Sequence, residues 1–244
     1  MLLLQQPPSI TCRIIPSFHD NKKVIALKEK EGVVFSVALE NQPVEGCTVS
    51  RAIHDTEDFG VTYFSLARDT DISPESYPSA KIIINHSGGL TVSCGGHEGT
   101  LGGGEAVITP VNMPVGTKTH TGSVYTEIRL GEGVNVNTAV HDGEIFSLAD
   151  LVPYQEGRIV NMDIVSSKGL KFVVMAFDEG TGLSEHAAPG EALIFVLEGE
   201  GIIGYEGKEH HIMAGENFKF AKNGRHYVKA QGRFKMALLL TLED

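Results

Sequence analysis

Phe146-Ser-Leu-Ala-Asp-Leu-Val-Pro-Tyr-Gln-Glu-Gly157 repeats the punctuation of Phe35-Ser-Val-Ala-Leu-Glu-Asn-Gln-Pro-Val-Glu-Gly46, 111 residues earlier. The same shift of 111 carries Ile72-Ser73 onto Leu183-Ser184, Gly88 onto Gly199, and Gly104-Glu105 onto Gly215-Glu216. The register holds without a gap from about residue 35 to about residue 120, too far for chance pairing. It reads as duplication of one structural unit, and roughly 100 residues suffice for a core of its own. The boundaries that follow are a unit over 35–140, a second over 141–244, and an extension over 1–34 packing on the first unit.

Within each unit, short apolar runs dominate. Lys171-Phe-Val-Val-Met-Ala-Phe177, Ala192-Leu-Ile-Phe-Val-Leu197, Gly201-Ile-Ile-Gly-Tyr205 and Met236-Ala-Leu-Leu-Leu240 are rich in apolar, β-branched or aromatic residues. Gly, Pro, Asn and Asp separate such runs at intervals of about ten residues, which predicts an all-β antiparallel sandwich or barrel. Helical signal is confined to a turn or two. One lies in Ser147-Leu-Ala-Asp-Leu151, with Ser147 as cap and Pro153 as stop; its counterpart is Ser36-Val-Ala-Leu-Glu40 before Pro43. Lys23-Val-Ile-Ala-Leu27 reads as an edge strand. Ala192–Leu197 is apolar on both faces. One set of side chains fills a barrel interior, and Leu193, Phe195 and Leu197 need separate cover. Ile82-Ile83-Ile84 is the matching run in the first unit. Extensive packing of one unit on the other supplies that cover, with homodimerisation as the second source.

A formal net charge of −11 and the lack of any long basic run argue against a nucleic-acid partner or an anionic membrane surface. No apolar run approaches the ~20 residues that span a bilayer. Met1-Leu2-Leu3-Leu4 is too short for a signal segment. Cys12, Cys47 and Cys94 are odd in number and lack metal-like or redox spacing. Free thiols in a reducing, cytoplasmic setting are the simplest reading.

Two stretches carry a resemblance. Gly182-Leu-Ser-Glu-His-Ala-Ala-Pro-Gly-Glu-Ala-Leu-Ile-Phe-Val-Leu-Glu-Gly199 looks like the first conserved motif of cupins, and Gly215-Glu-Asn-Phe-Lys-Phe-Ala-Lys-Asn-Gly-Arg-His226 looks like their second. With the repeat, the chain resembles a bicupin, its second unit being similar to small bacterial single-cupin proteins. The resemblance implies two tandem double-stranded β-helix (jelly-roll) barrels. It does not imply one activity, because cupins include oxygenases, isomerases, decarboxylases, sugar-binding regulators and storage proteins. In metal-binding cupins the first motif supplies two histidines one residue apart and a glutamate, all on one face of a strand, and the second motif supplies a third histidine. Such a set suits iron, manganese, zinc or nickel.

Carried over by position, the second unit keeps His186 and His226 as metal candidates. Ala188 and Ala192 stand where the other two ligands would be. Glu191 is one residue off register and would need a bulge to turn inward. Glu185 and Tyr227 are further polar neighbours in sequence. In the first unit the same shift puts Glu75, Tyr77, Lys81 and Val115 at the four ligand positions. Glu75, Tyr77 and Lys81 share a parity, the inward one on a regular strand. A Glu75–Lys81 pair is expected there as a neutral polar plug, since an unpaired buried charge is costly; a reactive lysine is the alternative.

Other residues read as structural. His210 and His211 are adjacent on a strand and face opposite ways. His54, His86, His97, His120 and His141 fall in polar or turn-like contexts, where solvated positions are the default, although His86 occupies the place of Leu197 and is placed for an inter-unit contact. The glycine-rich run from Gly95 to Gly104 lacks the strand-then-helix setting of a phosphate loop and reads as a hairpin.

The functional expectation is a small-molecule binder, of a sugar or an organic acid, with its pocket in the C-terminal barrel and lined by His186, Glu191, His226 and Tyr227, with Glu75, Tyr77 and Lys81 lining the first. The alternative is a metal-dependent oxygenase, isomerase or lyase acting through His186 and His226. A structural or interaction role is the third.

Overall fold

A computed structural model describes residues 26–242. The apolar runs become strands throughout. In the first half these are β1 (Val34–Phe35), β2 (Thr48–Asp55), β3 (Phe59–Leu66), β4 (Thr70–Ser76), β5 (Lys81–Gly88), β6 (Leu90–Cys94), β7 (His97–Leu101), β8 (Glu105–Ile108), β9 (Pro114–Thr119), β10 (Ser123–Leu130) and β11 (Asn135–Val136). The second half has β12 (Ile145–Ser147), β13 (Ile159–Ser166), β14 (Leu170–Phe177), β15 (Gly182–Ala187), β16 (Ala192–Glu198), β17 (Glu200–Tyr205), β18 (Lys208–Met213), β19 (Asn217–Phe220), β20 (Arg225–Ala230) and β21 (Phe234–Thr241).

Strands of the second half begin 111 residues after their counterparts, as in Thr48 and Ile159, Phe59 and Leu170, Lys81 and Ala192, or Ser123 and Phe234. The pairing repeats too. One sheet runs β12-β8-β5-β10-β3-β2 beside a smaller β4-β9-β6-β7 sheet; the other runs β1-β19-β16-β21-β14-β13-β11 beside β15-β20-β17-β18. All pairs in these sheets are antiparallel.

The edge strands cross over. Val34 pairs with Phe218 on β19, and the equivalent Ile145 pairs with Val107 on β8. Each half therefore supplies the edge of the other half's larger sheet. Side chains fix this exchange. Ser36 caps the single helical turn α1 (Val37–Glu40) and also donates to Gly215 O at 3.0 Å. Asn217 accepts from Val37 N at 2.9 Å. The second expected helical turn is a short 3₁₀ segment, Ala149–Leu151, following Leu148, because Ser147 is drawn into β12 instead of capping it.

The described residues of the extension lie against the second half as well as the first. Lys28 N donates to Ile53 O and Glu29 pairs with Arg51, while Leu27 and Gly32 bond to Glu191 and Lys219 of the second half. Residues 23–25 of the expected edge strand and Cys12 lie outside the described residues; Ala26 and Leu27 are not in a strand.

Strand alternation divides the apolar residues into three clusters. Leu193 and Phe195 lie in one buried cluster with Ile82 and Ile84. Phe177, Phe218, Phe220 and Phe234 fill a second cluster within the second half. Ile83, Val107 and Tyr125 belong to a smaller third within the first half. No helix among the described residues is long and apolar enough to cross a membrane.

Candidate functional site

β15 and β20 pair so that His186 and His226 are direct cross-strand partners. Their ring centroids lie 4.4 Å apart with planes at 55°. His226 is buried and stacks on Phe220 at 4.0 Å, whereas His186 is exposed. Each Nδ1 sits 2.8 Å from a backbone carbonyl two residues earlier, Ser184 O for His186 and Gly224 O for His226. A carbonyl only accepts, so Nδ1 carries the proton and Nε2 keeps its lone pair in the neutral ring. Burial lowers the pKa of His226, opposed by the Gly224 carbonyl and aided by the neighbouring His186. The buried ring is therefore neutral near pH 7.

Fixing the tautomer by a carbonyl is how metal-ligating histidines are oriented. The donor count does not reach a metal centre, however. Among the described residues no three His, Cys, Asp or Glu side chains converge on one point. Two imidazoles fall short of the three protein ligands of a catalytic zinc site.

Glu191 and Tyr227 are not part of this pair. Glu191 sits just before β16 and forms a buried ion pair with Lys219 at 2.6 Å while accepting from Leu27 N at 2.7 Å. It clamps the N-terminal segment. Tyr227 follows His226 on the strand and so faces the other way. Its hydroxyl donates to Glu209 at 2.5 Å and its ring covers Gly204. Glu185, on the same strand as His186, pairs with Arg225. The interior of the second half is closed by apolar groups: Ile194, Phe218, Phe220 and Met236 are buried, with Leu238 and Leu240 packed against them.

In the first half, the polar residues gather at a cavity of about 240 Å³. Phe64, Ile72, Ile83 and Val115 form apolar walls, and Tyr77, Lys81, Tyr125, Glu127 and Arg129 supply polar groups. The expected Glu75–Lys81 plug is absent. Lys81 instead pairs with Glu127 at 3.0 Å, and its ammonium lies 3.4 Å from the centroid of the Tyr77 ring. Glu75 is exposed and accepts from the Tyr77 hydroxyl at 2.5 Å. That bond to a carboxylate, with burial second, pushes the Tyr77 pKa up to about 12, so the hydroxyl keeps its proton. Phe64 stacks on Tyr125 at 5.0 Å with planes at 7°. Tyr125 is held protonated mainly by burial, and Thr117 lies 3.2 Å from its oxygen. Arg129 at the rim contacts Asp55 at 3.1 Å and the Thr56 carbonyl.

Glu127 and Arg129 were missed in the sequence, although a signal existed. Where the second repeat reads Met236-Ala-Leu-Leu-Leu240, the first reads Tyr125-Thr-Glu-Ile-Arg129. Alternate positions exchange Met, Leu and Leu for Tyr, Glu and Arg on one strand face. His54, read as solvated, is 3% exposed and stacks on Phe59 at 4.0 Å. His86 is stacked on Phe195 at 5.7 Å, between the halves, with Nε2 2.6 Å from Thr126 Oγ1.

The all-β sheets have the fold of cupin barrels, to which solved structures liken the chain. More particularly, residues 173–242 match the family Cupin_2, described as a cupin domain. A cupin 2 conserved barrel domain protein from Leptotrichia buccalis superposes with a TM-score of 0.79 at 27% identity, covering 88% of this chain and 99% of that one. A salicylate 1,2-dioxygenase variant from Pseudoaminobacter salicylatoxidans shares the fold, with a TM-score of 0.57, 11% identity, and 76% of this chain and 70% of that one covered. No protein of curated function matches the chain by sequence.

Proposed function

We propose that the chain is a duplicated cupin, with units over 35–140 and 141–244, that binds a small organic acid in the cavity of the first unit. The observation that carries this reading is the lining of that cavity. Lys81, Glu127 and Arg129 are gathered among walls of Phe64, Ile72, Ile83 and Val115. A few convergent polar groups on an apolar surface are the usual make-up of a ligand site. Lys81 is paired with Glu127 and Arg129 with Asp55 at the rim, so an incoming carboxylate takes a share of these cations' donors rather than neutralising a free charge. The Tyr77 hydroxyl donates its one proton to Glu75, so Tyr77 offers the acid its ring rather than a donor. The acid's body lies against the apolar walls, and its carboxylate accepts from Lys81 or Arg129.

Thermal-shift measurements with a panel of small mono- and dicarboxylic acids test this. A bound acid stabilises the fold by about 2.7 kcal/mol at a hundredfold excess over Kd. The gain is expected to disappear in Arg129→Gln, whose unliganded form melts no more than about 4 °C lower for the lost rim contacts. A panel in which no acid raises the melting temperature, or an undiminished gain in Arg129→Gln, sinks the proposal.

A second reading, a metal-dependent enzyme acting at His186 and His226, draws support from the two Nδ1–carbonyl bonds. Its test is metal content after purification without chelator. Stoichiometric iron, manganese, zinc or nickel that is lost in His226→Ala supports it; sub-stoichiometric metal throughout rules it out.

A further inference from the structure

The outer face of the β4-β9-β6-β7 sheet carries a second cavity, of about 280 Å³. It adjoins the interior one, with Ile72, Gly116 and Thr117 bordering both. Its origin lies in a single row of the sheet. Gly116, Ser93 and Glu98 are cross-strand partners on β9, β6 and β7. The repeat shift of 111 places Tyr227, Gly204 and Glu209 in the same row of the second half, again as cross-strand partners. There the row is closed. The Tyr227 ring lies on Gly204 so tightly that a Cβ at Gly204 would fall 2.0 Å from Tyr227 Cε1. The Tyr227 hydroxyl donates to Glu209 at 2.5 Å.

In the first half the large and small residues of that row are exchanged for Gly116 and Ser93, and the ring is missing. Gly116 is held to glycine by its surroundings. β4 shifts register between Ile72 and Glu75, which brings Pro74 over the strand. A Cβ at Gly116 would lie 2.9 Å from Pro74 Cγ and 3.0 Å from Ile72 O. Pro74 covers Gly116 and forms one wall of the cavity, and among the described residues no ring like that of Tyr227 reaches over Ser93. Beside that wall the polar groups are already placed. Lys118 bonds both oxygens of Glu98 at 2.8 Å, and Thr91 pairs with Thr100 at 2.9 Å. In the second half, Ile202 and His211 stand in place of those two threonines.

We infer that this groove binds a saccharide, whose ring takes the place that the Tyr227 ring fills in the second half. A ring hydroxyl donates to Glu98, as the Tyr227 hydroxyl donates to Glu209. Thr91, Ser93 and Lys118 meet the remaining hydroxyls, and the Pro74 ring packs against a CH face. A phenol would satisfy Glu98 but leave the hydroxyls and the ammonium without ligand partners, whereas a polyhydroxylated ring engages all of them. Lys118 pairs with Glu98 and His120 lies 3.0 Å from Asp69, while Asp71 adds a further carboxylate, so the lining disfavours anions and recognition is by hydrogen bonds to a neutral ligand.

The test is an amide-resolved NMR titration of the full chain with glucose, galactose, mannose and their methyl glycosides, with phenol as the competing ring. Saturable shifts at Thr91, Ser93, Glu98 and Lys118 are expected for at least one sugar. Glu98→Ala, an exposed substitution, should weaken that binding about tenfold or more through loss of a charge-assisted bond while leaving the melting temperature unchanged. Arg129→Gln, in the interior cavity, should leave it intact, which separates this site from the one proposed above. The inference is overturned if no sugar gives saturable shifts, if the shifts map to the interior cavity, if phenol alone binds, or if Glu98→Ala binds as well as the parent.

Discussion

Lys219→Met is expected to unfold the protein well below its normal melting temperature, although Lys219 touches neither cavity. Its ammonium is 2.6 Å from Glu191, and the two side chains are 6% and 11% exposed. It also donates to Leu27 O at 2.5 Å, while Glu191 accepts from Leu27 N at 2.7 Å. Both backbone groups of Leu27, a residue 2% exposed, are thus satisfied by this one pair. Methionine keeps the volume but leaves a buried carboxylate without its cation, which costs about 3–5 kcal/mol. For a chain of this length each kcal/mol moves the transition about 2–4 °C, so a fall of about 6–20 °C is expected. The double variant Lys219→Met, Glu191→Gln removes both charges and retains an acceptor for Leu27 N. It should lose only about 1–3 kcal/mol, for the Leu27 carbonyl left without a donor. The double variant is therefore more stable than the single one. Calorimetry gives the ordering, and hydrogen exchange at the Leu27 amide gives the local effect, with faster exchange in Lys219→Met. A single variant that melts within about 3 °C of the parent refutes the clamp, as does one whose Leu27 amide stays protected.

The remaining predictions concern other buried groups. Burial between the halves lowers the His86 pKa from 6.5 to about 4. The unfolded chain then binds the proton first, so this contribution is intact above pH 6.5 and is lost as pH falls toward 4. The full span is worth about 3 kcal/mol at about 1.4 per pH unit, and the partial exposure of the ring reduces it to about 1–2. Melting temperatures of His86→Phe should fall less steeply than the parent's across that window, and parallel curves would refute the assignment. Gly199 has φ +70 and its Cβ would lie 2.0 Å from Arg233 O; Gly88 has φ +72 and 1.9 Å to Gly122 O. Alanine at either position is expected to cost more than about 2 kcal/mol by denaturant titration, and a loss below about 1 would show that the turn relaxes. Lys81→Ala should be less stable than the double variant Lys81→Ala, Glu127→Leu, which imports the second-half residues Ala192 and Leu238. The reverse order in chemical denaturation would show that Glu127 does not depend on Lys81.

Strand positions were legible because short apolar runs and the turn residues between them fix them locally, and Ala192–Glu198 and Phe234–Thr241 fall where the runs place them. The repeat added register, while it was the resemblance to the cupin motifs that singled out His186 and His226, which the sheet makes cross-strand partners. Three things were not local. The edge exchange depends on which half's sheet accepts β1 and β12, and nothing in Val34–Phe35 itself chooses. The partner of Lys81 comes from β10, far along the chain, so the nearer Glu75 was the natural but wrong choice. Glu191 looked like a displaced ligand until Lys219 and Leu27 claimed it.

The two halves also provide an internal control for the interior site. Replacing a buried ion pair by apolar groups of similar volume is often neutral or stabilising. The second half holds such a replacement in the same framework, with Ala192 for Lys81 and Leu238 for Glu127. The fold therefore does not need the pair. A charge of this kind cannot be lost singly, because its partner would be stranded, so the two positions change together or not at all. The first half has them together, at 3.0 Å, with Tyr77 over the ammonium and Arg129 two residues further along β10. Four polar groups held at one opening, at positions where the sister half is apolar throughout, are better accounted for by something they hold than by the stability of the sheet around them.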